Sequence, residues 1–363
     1  MYTIFMTTEE KLSLINQVGE EIITEEDLKK LLESGEELVA YDGFEPSGQI
    51  HIAQGILRAI NINKLTSTGI KFKMLVADWH AMANNKMGGD LEKIKLVGKY
   101  FIEVWKAAGM DLQNVEFVWA SDLVKNDEYW MLVLKIARTN GVNRFIRTAE
   151  IMGREESMDL TLAQLIYPAM QAADIFTLGA KMTQLGMDQR KVNMLAREVG
   201  PQLGFWKPVV VSHHMLLGLG KPASETTDKT KRTIELKMSK SHPDSAIFMT
   251  DSSEDIERKL SKAWCPEGIA KENPVLEYFK YIIFEKYPKV MIERPEQFGG
   301  TLMISSYNEL EKQFADKQIH PLDLKKTASK LIDELIQPVR QHFETDASAK
   351  KLLEDVKKLQ VTR

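Results

Sequence analysis

The stretch YDGFEPSGQIHIAQG, residues 41–55, joins an apolar run to a helical pattern. Gly43, Pro46 and Gly48 fall within six positions, and we expect a helix to begin near Ile52. A strand that turns into a helix is the unit of an open parallel sheet, where ligands bind at strand carboxyl ends beside helix N-termini. Glycines there let backbone amides approach a phosphate closely. The stretch predicts a phosphate-binding turn, although an ordinary strand-to-helix turn fits it equally well.

Two polar residues in this stretch, His51 and Gln54, are three positions apart. On the predicted helix they would share one face of the first turn. Both side chains can donate hydrogen bonds to phosphate oxygens. We therefore treat them as candidate nucleotide-binding residues.

The pattern around this stretch alternates strands with helices. The predicted strands are ELVAYDG (37–43), KFKMLVAD (71–78), VEFVWAS (115–121) and PVVVS (208–212). Helical patterns separate them, which predicts an α/β fold with a parallel sheet. From about Ser252 onward helical patterns dominate. We expect an α/β domain over residues 1–225, a connection over 226–250 that overlaps the irregular segment 213–237, and an α-helical domain over 251–363.

The predicted helix TLAQLIYPAMQAADIFTLG, residues 161–179, is apolar nearly all round. Its polar stripe consists of Gln164, Tyr167, Gln171 and Asp174, at spacings of three and four. A solvent-facing stripe would normally carry Lys or Glu, and this one carries neither. The stripe predicts the lining of an internal polar pocket, with a buried hydrogen-bond network of the core as the alternative. A buried Asp174 would need a hydrogen-bond donor.

A further candidate is the segment LKMSKS, residues 236–241. Its lysines could meet the charge of a polyphosphate, and its serines could donate hydrogen bonds. A solvated basic surface loop has the same composition and is the more common structure for a lysine pair. This motif alone does not decide between the two.

Composition limits the class of protein. The chain has 363 residues, 44% hydrophobic and 28% charged, as in ordinary globular proteins. No apolar run reaches the about 18 residues that span a bilayer, and we expect no secretory signal. The one cysteine, Cys265, excludes an internal disulfide and a multi-cysteine zinc site. We expect a cytoplasmic protein without a membrane partner; the net charge of −4 neither supports nor excludes a nucleic-acid partner.

Taken together, the motifs resemble the class I aminoacyl-tRNA synthetases. HIAQ (51–54) resembles their first signature, with Ala53 in place of a glycine and Gln54 in place of the second histidine, and KMSKS (237–241) matches the second in full. YDGFEPSGQIH, YPAMQAADI, LGMDQRKVNMLARE and HPLDLKK are similar to tyrosyl-tRNA synthetases of the archaeal and eukaryotic type. The resemblance covers roughly residues 10–340 and implies a Rossmann-like catalytic domain followed by a helical domain.

The resemblance implies a two-step reaction. L-Tyrosine and ATP would give tyrosyl-adenylate and pyrophosphate, and the tyrosyl group would then pass to tRNA(Tyr). The tyrosine carboxylate is already ionised at neutral pH, so the first step needs no general base. Catalysis would come from positioning and from stabilising charge on the phosphates. Mg²⁺ would arrive with ATP, and we expect no prosthetic group and no protein metal site.

The resemblance also assigns roles to residues. Tyr41 and Asp174 would bind the phenol hydroxyl of the substrate. The amino end and ring of tyrosine would contact Tyr167, Gln171 and Gln189. The ATP side would comprise Gly43, Glu45, His51, Gln54, Lys237, Ser239 and Lys240, of which His51, Gln54, Lys237 and Lys240 would be catalytic. The tRNA anticodon would meet Phe298, His320 and Asp323, although a core aromatic and a helix-capping aspartate would fit two of these positions equally well.

The family also implies a homodimer, with an interface in inserted helices at about residues 125–165.

Three alternatives share parts of the pattern. A tryptophanyl-tRNA synthetase has the same fold, but Asp174 argues against it. A small-molecule nucleotidyltransferase would not need the helical last third. A catalytically inactive RNA-binding paralogue is disfavoured by the complete KMSKS motif.

Overall fold

The computed structural model describes residues 6–153, 159–222, 232, 238 and 243–359. The strands are β1 (Gly19–Ile23), β2 (Val39–Phe44), β3 (Lys71–Val76), β4 (Val115–Trp119), β5 (Met182–Thr183), β6 (Val209–His213), β7 (Val290–Ile292) and β8 (Leu302–Ile304). The helices up to residue 202 are α1 (Thr8–Val18), α2 (Glu25–Glu33), α3 (Ile56–Ser67), α4 (Asp78–Ala83), α5 (Leu91–Ala107), α6 (Ala120–Leu123), α7 (Asp127–Arg138), α8 (Val142–Thr148), α9 (Leu162–Thr177) and α10 (Arg190–Gln202). The later helices are α11 (Ser253–Lys262), α12 (Pro274–Tyr278), α13 (Phe284–Lys286), α14 (Tyr307–Ala315), α15 (Pro321–Thr345) and α16 (Ala347–Lys358).

A six-stranded sheet forms the centre of the first part of the chain. Its strand order is β1-β6-β5-β2-β3-β4, with β1 antiparallel to β6 and the other neighbouring pairs parallel. The predicted α/β fold with a parallel sheet is confirmed, and all four predicted strands are present. β1 and β5 were not predicted, because GEEII is half polar and Met182–Thr183 is too short to show a pattern.

Both faces of the sheet are covered, as parallel sheets require. Neighbouring residues of β2 show this, because side chains alternate between the two faces of a strand. Ala40 belongs to the apolar cluster on one face, and Tyr41 to the cluster on the other face, beside α7 and α9. The alternation therefore directs the Tyr41 side chain toward the helix that carries the predicted polar stripe.

The helix after β2 begins later than the sequence predicts. We expected it near Ile52, but α3 begins at Ile56, and residues 51–55 form a turn in which His51 O accepts from Gln54 N and Gly55 N, both at 2.9 Å. Residues 50–52 are extended because they pair with residues 247–249. Ile52 N donates to Ile247 O at 2.8 Å, and Met249 N donates to Ile50 O at 3.0 Å, which is the pattern of two paired extended segments. His51 and Gln54 therefore lie in a turn and not on a helical face.

The last third is mainly helical, as predicted, but it also contains the antiparallel hairpin β7–β8. Each hairpin strand has three residues, which is too short for a recognisable alternation. The helices pack against α3 and α5 through contacts such as Lys64 with Glu285 at 2.6 Å and Tyr100 with Phe343 at 5.4 Å between ring centroids. One apolar cluster consequently runs from the sheet into the C-terminal helices.

Within the described ranges, no helix has the length and apolar character needed to cross a membrane.

Candidate active site

The candidate site lies where the strand order reverses. β2 and β5 are neighbours, and the chain continues from β2 toward β3 on one side and from β5 toward β6 on the other. Ligands of open α/β sheets bind at the carboxyl ends of the strands at such a point. Tyr41 on β2, the loop that follows β2, and Gln189 after β5 are all brought to this edge.

The polar stripe of α9 faces inward. Tyr167, Gln171 and Asp174 are buried, and α9 continues without interruption through Pro168. The predicted internal location of these three side chains is confirmed. Gln164 is also buried, and its side chain accepts from Thr161 N at 3.0 Å in a capping box at the start of the helix.

Asp174 has a polar contact on each carboxylate oxygen. The Tyr129 hydroxyl donates to Oδ1 at 2.9 Å, and His80 Nε2 forms an ion pair with Oδ2 at 2.9 Å. All three side chains are buried, with Asp174 completely excluded from solvent. The expectation that a buried Asp174 needs a donor is confirmed by Tyr129, but neither Tyr129 nor His80 was identified from the sequence.

Burial and the charges in this part of the site shift the pKa values of His80 and Tyr41. Burial lowers the pKa of His80, but the Asp174 carboxylate, with Glu45 and Asp78, raises it overall above the usual value. Burial, followed by the charge of Asp174, raises the pKa of Tyr41 well above the usual value. Tyr41 is therefore a protonated hydroxyl at neutral pH, and His80 favours its charged form beside Asp174.

A chain of amides continues from the stripe toward the sheet edge. Gln171 Nε2 donates to Gln189 Oε1 at 3.1 Å, and Gln189 Nε2 donates to Ile151 O at 3.0 Å. Gln171 Oε1 is buried and has no hydrogen-bond partner among the described residues. This oxygen is an acceptor that a substrate amino group could use.

Glu45 lies in the loop after β2 and links that loop to α4 and α9. Asn84 Nδ2 donates to both Glu45 carboxylate oxygens at 3.0 Å, and Lys86 Nζ lies 3.7 Å from Oε2. Burial, followed by the charge of Glu45 and a hydrogen bond to it, raises the pKa of Tyr167 well above the usual value. Glu45 and Tyr167, predicted on the ATP and tyrosine sides, are therefore in contact.

The first signature is fixed in place by backbone contacts. His51 is buried and pairs with Phe248 in an antiparallel β-bridge. Gln54 O accepts from Trp105 Nε1 at 2.7 Å, and a Cβ on Gly55 would lie 2.4 Å from Met249 Sδ. The turn is thus packed against the residues that follow the KMSKS segment.

Lys237, Ser239 and Lys240 lie outside the described residues. Met238, between them, is buried, and its backbone nitrogen donates to Leu216 O at 3.4 Å.

A buried ion pair beneath the site was not predicted. Arg58 Nε lies 2.7 Å from Asp42 Oδ2, and Arg58 Nη2 donates to Gln184 O at 2.9 Å. Burial raises the pKa of Asp42 to about 6, against the opposing charge of Arg58. Arg58 thereby joins the ends of the two strands that flank the site, β2 and β5. The signal in the sequence was a single charged residue within the apolar run ILRAI.

The predicted anticodon residues lie at one end of the helical part. Phe298, in the β7–β8 connection, is 64% exposed, which excludes the core alternative. His320 and not Asp323 caps α15, because its Nδ1 accepts from Leu322 N at 3.2 Å. Arg294 donates to Gly300 O at 2.9 Å and to Gln318 O at 2.6 Å, which joins the Phe298 loop to the start of α15.

In the part of the chain that the structure describes, no group of three or more His, Cys, Asp and Glu side chains is arranged to hold a metal ion.

Comparisons with known proteins agree with this geometry. The family model for class I tRNA synthetases (W and Y) matches residues 33–337. The chain is 48% identical over 358 residues to tyrosine–tRNA ligase 1, cytoplasmic, of Arabidopsis thaliana, covering 98% of this chain and 90% of that protein. It is 42% identical over 363 residues to a tyrosine–tRNA ligase of Saccharolobus islandicus, covering 99% and 100% respectively.

Among solved structures, the tyrosyl-tRNA synthetase of Pyrococcus horikoshii, complexed with L-tyrosine, matches with a TM-score of 0.89 and 37% identity, covering 96% of this chain and 100% of that one. The chain therefore belongs to the tyrosine–tRNA ligases of the archaeal and eukaryotic type, class I aminoacyl-tRNA synthetases that use ATP to join tyrosine to its tRNA.

Proposed function

We propose that Tyr41 and Asp174 bind the phenol hydroxyl of L-tyrosine, and that Tyr167, Gln171 and Gln189 bind its amino end and ring. This proposal rests on the cluster of buried polar side chains at the point where the strand order reverses. Tyr41 can donate to the phenol oxygen, and Asp174 can accept from the phenol hydrogen. Phenylalanine has no hydroxyl, so it would leave both of these buried polar groups without a hydrogen-bond partner, which costs free energy of binding.

We further propose that ATP binds along the loop after β2 and the first signature, at Gly43, Glu45, His51 and Gln54. Gly43 lies beside the proposed tyrosine site, because a Cβ there would be in van der Waals contact with the Tyr41 hydroxyl at 3.4 Å. Gln54 Oε1 is buried and has no hydrogen-bond partner in the described part of the chain. Lys237, Ser239 and Lys240 would meet the phosphates from the KMSKS segment.

In the first step the tyrosine carboxylate attacks the α-phosphorus of ATP. A bond forms between a carboxylate oxygen and that phosphorus, and the bond to pyrophosphate breaks. Negative charge develops on the phosphate oxygens, where His51, Gln54 and the two lysines would donate hydrogen bonds. Mg²⁺ carried on ATP would neutralise part of the charge on the leaving pyrophosphate.

In the second step a hydroxyl of the terminal ribose of tRNA(Tyr) attacks the tyrosyl carbonyl carbon; an ester bond forms, the bond to the phosphate breaks, and AMP leaves. We propose that Phe298, His320 and Asp323 contact the anticodon, with Phe298 available to stack on a base. The corresponding division of the chain is a catalytic domain to about residue 225, a connection over 226–250 and an anticodon-binding domain over 251–363. The shared apolar cluster supports a firm attachment between the two domains.

We also propose a cytoplasmic homodimer. Large exposed apolar side chains lie on consecutive helices at Met131, Leu134, Val142 and Leu162. An adjoining groove of about 840 Å³ is lined by aromatic and apolar residues that include Trp79 and Trp130. Apart from Trp79, the residues named here fall in the predicted interface region, and a second copy of the chain would cover them.

The test of the residue assignments is the exchange of labelled pyrophosphate into ATP, measured with tyrosine and with phenylalanine. Asp174→Asn should lower the ratio of the two kcat/KM values by about 10-fold or more, because a hydrogen bond to a charged acceptor contributes about 1.5–3 kcal/mol. The KM for ATP should change little. Normal discrimination in Asp174→Asn would show that the phenol assignment is wrong.

A further inference from the structure

Asp174 is held by two side chains that come from two other helices. Tyr129 lies on α7 and His80 on α4, and each contacts a different oxygen of the Asp174 carboxylate at 2.9 Å. We propose that Tyr129 and His80 are positioning residues that set the selectivity for tyrosine by fixing the direction of the Asp174 carboxylate. This inference rests on the proposed contact between Asp174 and the substrate phenol.

The direction of the carboxylate is fixed because its two contacts are themselves immobile. The Tyr129 hydroxyl is also 3.3 Å from Met170 O, and its ring packs edge-on against Trp130 at 5.6 Å between centroids. His80 is 1% exposed and packs edge-on against Tyr167 at 5.1 Å between centroids. A carboxylate offers about four lone-pair directions, so one donor on each oxygen leaves acceptor capacity for a substrate hydroxyl.

A fixed carboxylate makes a missing hydroxyl costly. When the substrate has no hydroxyl, the remaining acceptor capacity of Asp174 stays unpaired, and a buried unpaired acceptor costs free energy of binding. Phenylalanine is rejected for this reason as long as the carboxylate keeps its direction.

Two variants test the proposal in pyrophosphate exchange. Tyr129→Phe removes the hydroxyl that donates to Asp174, and His80→Leu removes the imidazole that lies beside its other oxygen. In each variant we expect the ratio of kcat/KM for tyrosine to kcat/KM for phenylalanine to fall by about 10-fold to 100-fold. His80→Gln retains an amide donor at a similar reach, and it should recover most of the lost ratio.

A matched control is Tyr307→Phe. The Tyr307 hydroxyl also donates to a carboxylate, Glu311 Oε1 at 2.8 Å, but it lies on α14 in the helical part. Its removal should leave the ratio unchanged. A general loss of folded protein lowers both kcat/KM values alike and cancels in the ratio, so the ratio separates positioning from stability.

The variants are interpreted beside Asp174→Asn. If Asp174→Asn loses discrimination while Tyr129→Phe and His80→Leu keep it, the positioning proposal is wrong and the phenol assignment remains. If Asp174→Asn also discriminates normally, the phenol assignment itself is wrong. We expect Asp174→Asn, Tyr129→Phe and His80→Leu all to lose discrimination. His80→Gln should recover most of it, and Tyr307→Phe should keep all of it.

Discussion

His51 and Phe248 face each other in an antiparallel β-bridge, although four strands of the central sheet lie between them in sequence. Backbone hydrogen bonds at 2.8 Å and 3.0 Å on either side of the bridge join residues 50–52 to residues 247–249. The turn of the first signature is therefore anchored to the chain just after the KMSKS segment. We infer that this backbone pairing fixes the position of the first signature relative to residues 247–249.

The contact between Gly55 and Met249 gives the first prediction. A methyl group on Gly55 would lie 2.4 Å from Met249 Sδ and 2.5 Å from its Cγ, so Gly55→Ala must displace Met249 or the turn. We expect Gly55→Ala to lower kcat for tyrosine-dependent pyrophosphate exchange by about 10-fold, since overpacking costs about 1–3 kcal/mol. Gly141→Ala is the control, because a Cβ there meets no atom within 4 Å. Unchanged exchange in Gly55→Ala would contradict the importance of this packing.

The second prediction concerns the pH dependence of stability. His214 Nδ1 lies 3.0 Å from Glu20 and Nε2 lies 3.1 Å from Glu277, and the imidazole stacks on Tyr281 at 4.3 Å. Although burial lowers it, the hydrogen bonds to these two carboxylates raise the pKa of His214 to about 9. The folded pKa exceeds the unfolded value near 6.5, so the stabilisation is complete below pH 6.5 and is lost as pH rises through 9.

The measurement is the free energy of unfolding of the unsubstituted protein and of His214→Gln at several pH values. The difference between the two proteins should shrink by about 3 kcal/mol between pH 6.5 and pH 9.5, because one pKa unit corresponds to about 1.4 kcal/mol. Gln113→Ala, at an exposed residue whose side chain does not titrate, is the control. A difference that stays constant with pH would show that the charge of His214 does not hold β6 to α12.

The third prediction concerns the exposed loop between β7 and β8. Phe298→Ala should raise the KM for tRNA(Tyr) in aminoacylation by about 10-fold, because stacking of a base on an aromatic ring contributes about 1–3 kcal/mol. Tyrosine-dependent pyrophosphate exchange without tRNA should stay unchanged. Met303→Ala, at a neighbouring exposed apolar position, is the control. An equal KM for tRNA in Phe298→Ala and the unsubstituted protein would remove Phe298 from the proposed anticodon contact.

The fourth prediction concerns the proposed dimer. Leu134 is 62% exposed on α7, and a charge there would be buried without a partner between two copies of the chain. We expect Leu134→Glu to convert the dimer into monomers in sedimentation at micromolar concentration. Leu112→Glu changes an exposed leucine outside α7, α8 and α9 and should leave the dimer intact. A monomeric unsubstituted protein, or a dimeric Leu134→Glu, would contradict the proposed interface.

The sequence predicted those parts of the fold that have a strong periodic pattern. β2, β3, β4 and β6 are apolar runs with helices between them, and they were found. β5 has only two residues, and its position is set by its neighbours β2 and β6. The start of α3 was placed four residues early, because the extended pairing of residues 50–52 with residues 247–249 is a long-range contact that a local pattern does not show.

The candidate site was predicted in part for the same reason. Tyr167, Gln171 and Asp174 share one face of one helix, so their common environment could be inferred from spacing. His80 and Tyr129 reach Asp174 from two other helices, and nothing in their own neighbourhoods distinguishes them from ordinary core residues. The site is therefore completed by contacts that exist only after the three helices have packed.

The most direct test of the central claim is amino-acid-dependent exchange of labelled pyrophosphate into ATP, run with each of the twenty amino acids in the absence of tRNA. The account predicts strong exchange with tyrosine and weak exchange with phenylalanine and tryptophan. Strong exchange with tryptophan would contradict the assignment of Asp174 to the substrate phenol. Exchange with no amino acid would contradict the proposed adenylation site as a whole.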